Sequence, residues 1–167
     1  LKKIVLECGG KNPCIVMDDA ENLDVVAQHV IQSAFWNMGE NCSSNSRLIV
    51  HEKVKDALLE RILHRVKLWP MGDPLNPTNR LGAIVSKEQY EKILGYIKKG
   101  LADGAVAVLG SSTTAAGSGF FVEPTIFDGV KPAMTIAREE IFGPVLSVIT
   151  VASAEEAVAV ANDTDYG

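Results

Sequence analysis

Apolar residues recur along this chain in two ways, at a period near 3.6 and in short unbroken blocks, and the alternation predicts an order of helices and strands. Leu23, Val26, Ala27, Val30, Ile31, Ala34, Phe35 and Met38 follow one another in steps of three and one. That is a wide apolar stripe on one helix face, capped by Asn22 or a preceding aspartate. Val54, Ala57, Leu58, Ile62 and Val66 predict a second helix over 53–69, stopped by Pro70. Ser86-Lys87-Glu88-Gln89 has capping-box spacing and opens a third helix, which buries Tyr90, Ile93, Leu94 and Ile97 and ends at Asp103-Gly104. Ser153-Ala154-Glu155-Glu156 repeats that spacing before Val158, Val160 and Ala161, and its helix ends near Asn162.

The unbroken blocks predict strands. Ile4-Val5-Leu6 reads as a strand end closed by Gly9-Gly10, and Cys14-Ile15-Val16-Met17 as a strand buried on both faces. Residues 47–51, 105–109 and 145–151 read as further strands. Pro124 lies between Phe120-Phe121-Val122 and Thr125-Ile126-Phe127, so that strand is expected at an edge or broken. Residues 71–80 and 110–119 read as loops, and 134–143 as a short, charged segment ending in glycine. Strands alternating with helices imply a mainly parallel sheet in a layered α/β architecture.

Composition narrows the class. A chain of 167 residues suits one domain or part of a larger one, and 47% hydrophobic residues suffice for a core. The net charge of −5 argues against a general nucleic-acid surface. No apolar run approaches the roughly 18 residues of a membrane span, and the first residues lack the apolar core of a signal peptide. Three cysteines, an odd number without a disulfide framework, point to a reducing, cytoplasmic setting. The chain opens without Met on an apolar run and stops in a turn, so a longer polypeptide is expected around it.

Three stretches could carry chemistry. In Phe35-Trp36-Asn37-Met38-Gly39-Glu40-Asn41-Cys42, a helix runs into a glycine and a cysteine follows. Cysteine is most often a small buried hydrophobe, but Asn41, Ser43, Ser44 and Asn45 make these surroundings polar. A thiol in a polar turn is reachable by substrate and open to activation by backbone N–H groups. Glu7 precedes Cys8-Gly9-Gly10-Lys11, and is either a solvated strand-end charge or a general base beside a close backbone turn. Glu139-Glu140-Ile141-Phe142-Gly143-Pro144 is either a polar helix face or a ligand-facing turn. A carboxylate there could accept both hydroxyls of a ribose, and the phenyl ring could pack on a flat heterocycle. His29, His51 and His64 lack metal-ligand spacing and Cys8 and Cys14 form no CxxC pair, so no metal site is expected.

Together the stretches resemble the aldehyde dehydrogenase superfamily over essentially the whole chain. Leu6-Glu7-Cys8-Gly9-Gly10-Lys11-Asn12-Pro13 is similar to its glutamate motif, 35–42 to its cysteine motif and 139–145 to its nicotinamide-ribose motif. Phe121-Val122-Glu123-Pro124-Thr125, Leu81-Gly82 and Gln89 fall in family order. The resemblance implies a three-layer α/β sheet with helices on both faces, like that family's catalytic domain and incomplete at both ends. Residues 1–8 would end the segment leading from a dinucleotide-binding domain, and 9–167 would be a partial catalytic domain. It further implies oxidation of a small-molecule aldehyde with NAD or NADP. Cys42 would be the nucleophile, its own N–H an oxyanion donor, and Glu7 the base for thioester hydrolysis. Glu140 would hold the nicotinamide ribose with Phe142 against the cofactor, and Gln89 would either contact that ribose or serve its capping box. A homo-oligomer is expected for the full-length protein, with neither nucleic acid nor membrane as partner, and the chain alone is expected to be inactive. Cys8 stands where the family usually has Leu, and Glu40 where Gln is commoner. A coenzyme A-acylating relative is disfavoured by Glu7, and a non-catalytic module stays open as an alternative.

Overall fold

A computed structural model describes residues 1–112 and 119–166. The strands are β1 (Pro13–Val16), β2 (Arg47–His51), β3 (Val106–Leu109), β4 (Thr125–Asp128) and β5 (Val145–Val151). The helices are α1 (Leu23–Phe35), α2 (Glu52–Val66), α3 (Lys87–Ala102), α4 (Thr135–Arg138) and α5 (Ala154–Asn162). The sheet order is β1-β2-β5-β4-β3, parallel throughout except that β3 runs antiparallel to β4. A mainly parallel α/β sheet with helices on both faces is thus the observed architecture. No helix among the described residues is long and apolar enough to cross a membrane.

Strand alternation divides the core between the faces. Leu48, Val50, Leu146 and Val148 face α1 and α2, packing on Val30, Ile31, Phe35, Leu58 and Ile62. Val145, Ile149 and Phe127 turn the other way, with Ile93, Ile97 and Ile136 in one cluster and Ile49, Val151 and Ala157 in another. Each fully buried Ile, Leu or Phe contributes roughly 1.5–3 kcal/mol. Asn22 caps α1 by accepting from Val25 N–H at 3.2 Å, Ser86 caps α3 and Ser153 caps α5.

The fold departs from the sequence pattern in four places, and at Pro124 it decides between the two expected alternatives. Ile4, Val5 and Leu6 form no strand and are 76%, 87% and 75% exposed, because no strand of this chain flanks them and a strand needs ladder partners. β1 is an edge strand with Ile15 41% exposed, so it is not buried on both faces. α1 stops at Phe35, short of Met38, because Asn37 and Met38 are left-handed, with φ of 52° and 58°. α2 ends at Val66, and Leu68 and Trp69 N–H close tighter turns on Arg65 and Val66 carbonyls. Residues 120–122 lie outside the sheet, while β4 begins just after Pro124 and sits inside it between β5 and β3. The strand is therefore broken rather than at an edge. Most of the 110–119 loop, residues 113–118, falls outside the described residues, as does Gly167.

Candidate active site

The site is assembled by glycines that let backbones touch. After α1 the chain takes three left-handed residues in succession, Asn37, Met38 and Gly39, the last at φ 68°. Asn tolerates this conformation, and its Nδ2 donates to Glu40 O at 2.9 Å. Met38 does not, and such outliers cost of order 1–3 kcal/mol where the surroundings enforce them. A Cβ on Gly39 would run into the Gly143 carbonyl, so the cysteine loop meets the 139–144 turn main chain to main chain. A Cβ on Gly10 would likewise run into the Cys42 carbonyl. Asn12 Nδ2 secures that second meeting, donating to Cys42 O at 2.6 Å and Ser44 O at 3.1 Å.

Cys42 is exposed at this junction, its Sγ 3.9 Å from Asn41 Oδ1, which also accepts from Ser43 N–H at 3.3 Å. Asn41 thus shapes the thiol's turn locally. Glu40 points away, accepting from Val85 N–H at 3.2 Å, and burial raises its pKa above the usual carboxylate value. Cys8 is exposed and Cys14 half-buried.

Glu140 completes the cluster. Gly10 N–H donates to its Oε1 at 2.9 Å, and a Cβ on Gly9 would meet its Oε2 at 2.8 Å. Gly9, at φ 69°, therefore leaves room for the carboxylate as well as a left-handed turn. The next carboxylate, Glu139, goes outward and accepts from Tyr96 Oη at 2.7 Å. Phe142 is half-buried at φ 57°, and its carbonyl accepts from Gln89 Nε2 at 2.7 Å. The same Nε2 donates to Ile141 O at 2.9 Å, so Gln89 spends its amide nitrogen on this turn. Gln89 N–H closes the N-terminal cap on Ser86 Oγ at 3.2 Å.

Three of the expected stretches thus converge, while Glu7 stands apart. It lies in the exposed 1–8 segment and makes no hydrogen bond or ion pair with the described residues. Sequence reasoning missed Asn12, Lys11, Arg47 and Tyr96. Asn12 had a signal, being a polar residue beside two glycines. Arg47, at the start of β2, had none, since an arginine opening a strand usually faces water. Here it is buried and donates to Lys11 O, Val160 O and Ala161 O at 2.8, 2.9 and 2.9 Å, tying the last turn of α5 to the Gly-Gly-Lys segment. Lys11 is 1% exposed, and its Nζ has no partner among the described residues. Burial foremost, then the Arg47 charge, lowers its pKa to about 7, against a smaller opposing pull from Glu140 and Glu139. Among the described residues no three His, Cys, Asp or Glu side chains cluster to hold a metal.

A nicotinamide nucleotide fits the donor set of the turn. Glu140 is an acceptor-only carboxylate held on a backbone N–H, suited to ribose hydroxyls, and Phe142 is an aromatic ring held in a strained turn beside it.

The family model described as Aldehyde dehydrogenase family matches residues 1–167, and the chain belongs to that family. It is 56% identical over 167 residues to the aminoacetaldehyde dehydrogenase of Pseudomonas aeruginosa, covering 100% of this chain and 33% of that protein. It is 40% identical over 170 residues to the betaine aldehyde dehydrogenase of Brucella ovis, covering 100% of this chain and 35% of the relative. A crystal structure of an NAD-dependent aldehyde dehydrogenase from Sinorhizobium meliloti superposes with a TM-score of 0.91 at 45% identity, over 95% of this chain and 31% of that one. The chain therefore spans about a third of the length of the curated relatives it matches.

Proposed function

We propose that the full-length protein oxidises an aldehyde to a carboxylic acid through a covalent intermediate on Cys42. The observation that carries this is the convergence at Gly10, whose N–H holds Glu140 and whose missing side chain admits the Cys42 carbonyl. A thiol open to substrate and a ribose-type carboxylate then share one short segment. The Cys42 thiolate adds to the carbonyl carbon, and the new C–S bond leaves the oxygen as an oxyanion beside the Cys42 N–H. A nicotinamide cofactor, when bound, supplies the acceptor for the hydride. Glu7 takes a proton from water as it attacks the resulting thioester, and the C–S bond breaks to return the thiolate and release the acid. Glu140 holds the ribose hydroxyls and Phe142 limits where the flat ring can lie. NAD is the cofactor favoured by likeness to the Sinorhizobium enzyme. A short aldehyde bearing an amino or ammonium group is the substrate favoured by the two named relatives. The protein is read as a cytoplasmic homo-oligomer, and the 167-residue chain alone as lacking turnover.

The test uses the full-length protein with aminoacetaldehyde and NAD. Cys42→Ala is expected to abolish NADH production. Glu7→Gln is expected to give a burst of NADH followed by turnover slowed about 10²- to 10⁴-fold, with an acyl adduct on the Cys42 peptide by mass spectrometry. An unlabelled Cys42 in that variant, or turnover surviving Cys42→Ala, sinks the mechanism.

A further inference from the structure

One face of α3 touches the ribose-type turn along its whole length. Gln89, Ile93 and Tyr96 stand at i, i+4 and i+7, which is one side of a helix. Gln89 Nε2 donates to the Ile141 and Phe142 carbonyls at 2.9 and 2.7 Å. A Cβ on Gly143 would meet Ile93 Cδ1 at 2.5 Å, so that glycine seats the turn against the helix. Tyr96 Oη donates to Glu139 Oε2 at 2.7 Å, with Lys99 Nζ 4.0 Å from the same oxygen and 4.8 Å from the Tyr96 ring centre. One turn further on, a Cβ on Gly100 would meet Ile136 Cδ1 at 3.0 Å, so α3 also lies close against α4, which leads into the turn. Between these anchors Phe142 is held at φ 57°, which a bulky aromatic does not adopt unless its surroundings impose it.

We propose that this face of α3 is the template for the cofactor turn, with Gln89 and Tyr96 as positioning residues that act through the 139–143 backbone and through Glu139. Gln89 fixes the carbonyls on either side of the strained residue, and Tyr96 holds the outer carboxylate. With both neighbours fixed, Glu140 has one direction left, toward Gly10 N–H. Burial and the bond to Glu139 push the Tyr96 hydroxyl up to about 12, so it stays a donor at any working pH. The proposal rests on the dehydrogenase reading for its kinetic arm only.

The test compares Gln89→Met and Tyr96→Phe with the parent, all as full-length protein. Hydrogen–deuterium exchange is read in the absence of cofactor, and KM for NAD and for the aldehyde is read separately. A template gives faster exchange confined to the peptide covering 139–145 in both variants. It also raises KM for NAD about tenfold in Gln89→Met and about threefold in Tyr96→Phe, from the two hydrogen bonds and one that are lost, with KM for the aldehyde unmoved. If Gln89 were instead a direct ligand of the cofactor, KM for NAD would rise while cofactor-free exchange stayed at the parent's level, and the template idea fails. Unchanged exchange and unchanged KM also overturn it. Should Gln89→Met misfold, Tyr96→Phe, which removes one oxygen from a partly exposed side chain, decides alone. A parent protein without aldehyde oxidation defeats the proposed function, while the exchange result still judges the template.

Discussion

The turn at 139–143 and the segment at 1–8 each carry one carboxylate of the candidate site, and the fold treats them in opposite ways. Along the turn every residue is held. Tyr96 takes Glu139, Gly10 takes Glu140, Gln89 takes the two carbonyls that follow, and Gly143 meets Gly39 and Ile93. Along the segment, residues 1–8 are all exposed and Glu7 makes no bond with the described residues. The difference is one of partners within these 167 residues: the turn finds α3, Gly10 and Gly39, whereas no element of this chain, which spans about a third of its relatives' length, flanks residues 1–8. Under the proposed function, a carboxylate that grips a ribose works by being in place beforehand, since a mobile one must first lose entropy.

The largest effect that sharpens this contrast is on Gly39. Gly39→Ala places a Cβ against the Gly143 carbonyl at φ 68°, and should destabilise the chain by at least about 3 kcal/mol in urea unfolding. A cost below about 1 kcal/mol would mean that the two loops do not meet there. Next is Lys11, whose buried ammonium has no hydrogen-bond partner among the described residues. Its folded value near 7 lies below the unfolded 10.5, so between those values the unfolded chain binds more protons and stability rises with pH. From pH 7 to 9 the gain should be about 2 kcal/mol, and Lys11→Met should remove it while raising stability at pH 6. Parallel pH profiles for parent and variant would show the amine to be solvated. The smallest effect is on the open side. Leu6→Ser, at an exposed position, should shift stability by less than about 0.5 kcal/mol. A shift above about 1 kcal/mol breaks the comparison, because the segment would then be packed.

The parts legible in the sequence were those written locally. The stripe from Leu23 to Phe35, the caps at Asn22, Ser86 and Ser153, and the apolar block of β5 each need only their own neighbours, and the structure agrees with them. The Ile4-Val5-Leu6 block misled because apolar character does not supply a ladder partner. The end of α1 misled because Met38 continues the apolar stripe, while its conformation is set by Gly39 meeting Gly143, more than a hundred positions away. At Gln89 the capping spacing was real, yet it described the backbone N–H and not the side-chain amide, which crosses to Ile141 and Phe142. Cys42, Glu140 and Phe142 stood out by residue type and context, but what joins them is the absence of side chains at Gly10 and Gly39, and an absence has no signature until the partner backbone is known.

The meeting of Gly39 with Gly143, and of Gly10 with Cys42, has a further consequence for how such a protein changes over generations. The relative placement of the Cys42 thiol and the Glu140 carboxylate is written in main chain, as a machined joint is cut into the frame and not into its fittings. Trp36 and Ser43, whose side chains border the small surface pocket beside the joint, are the fittings. On the proposed function, exchanging those two side chains would alter what the pocket admits while Cys42 and Glu140 keep their relative placement, so novelty in substrate and constancy in chemistry would be carried by different atoms of the same short stretch.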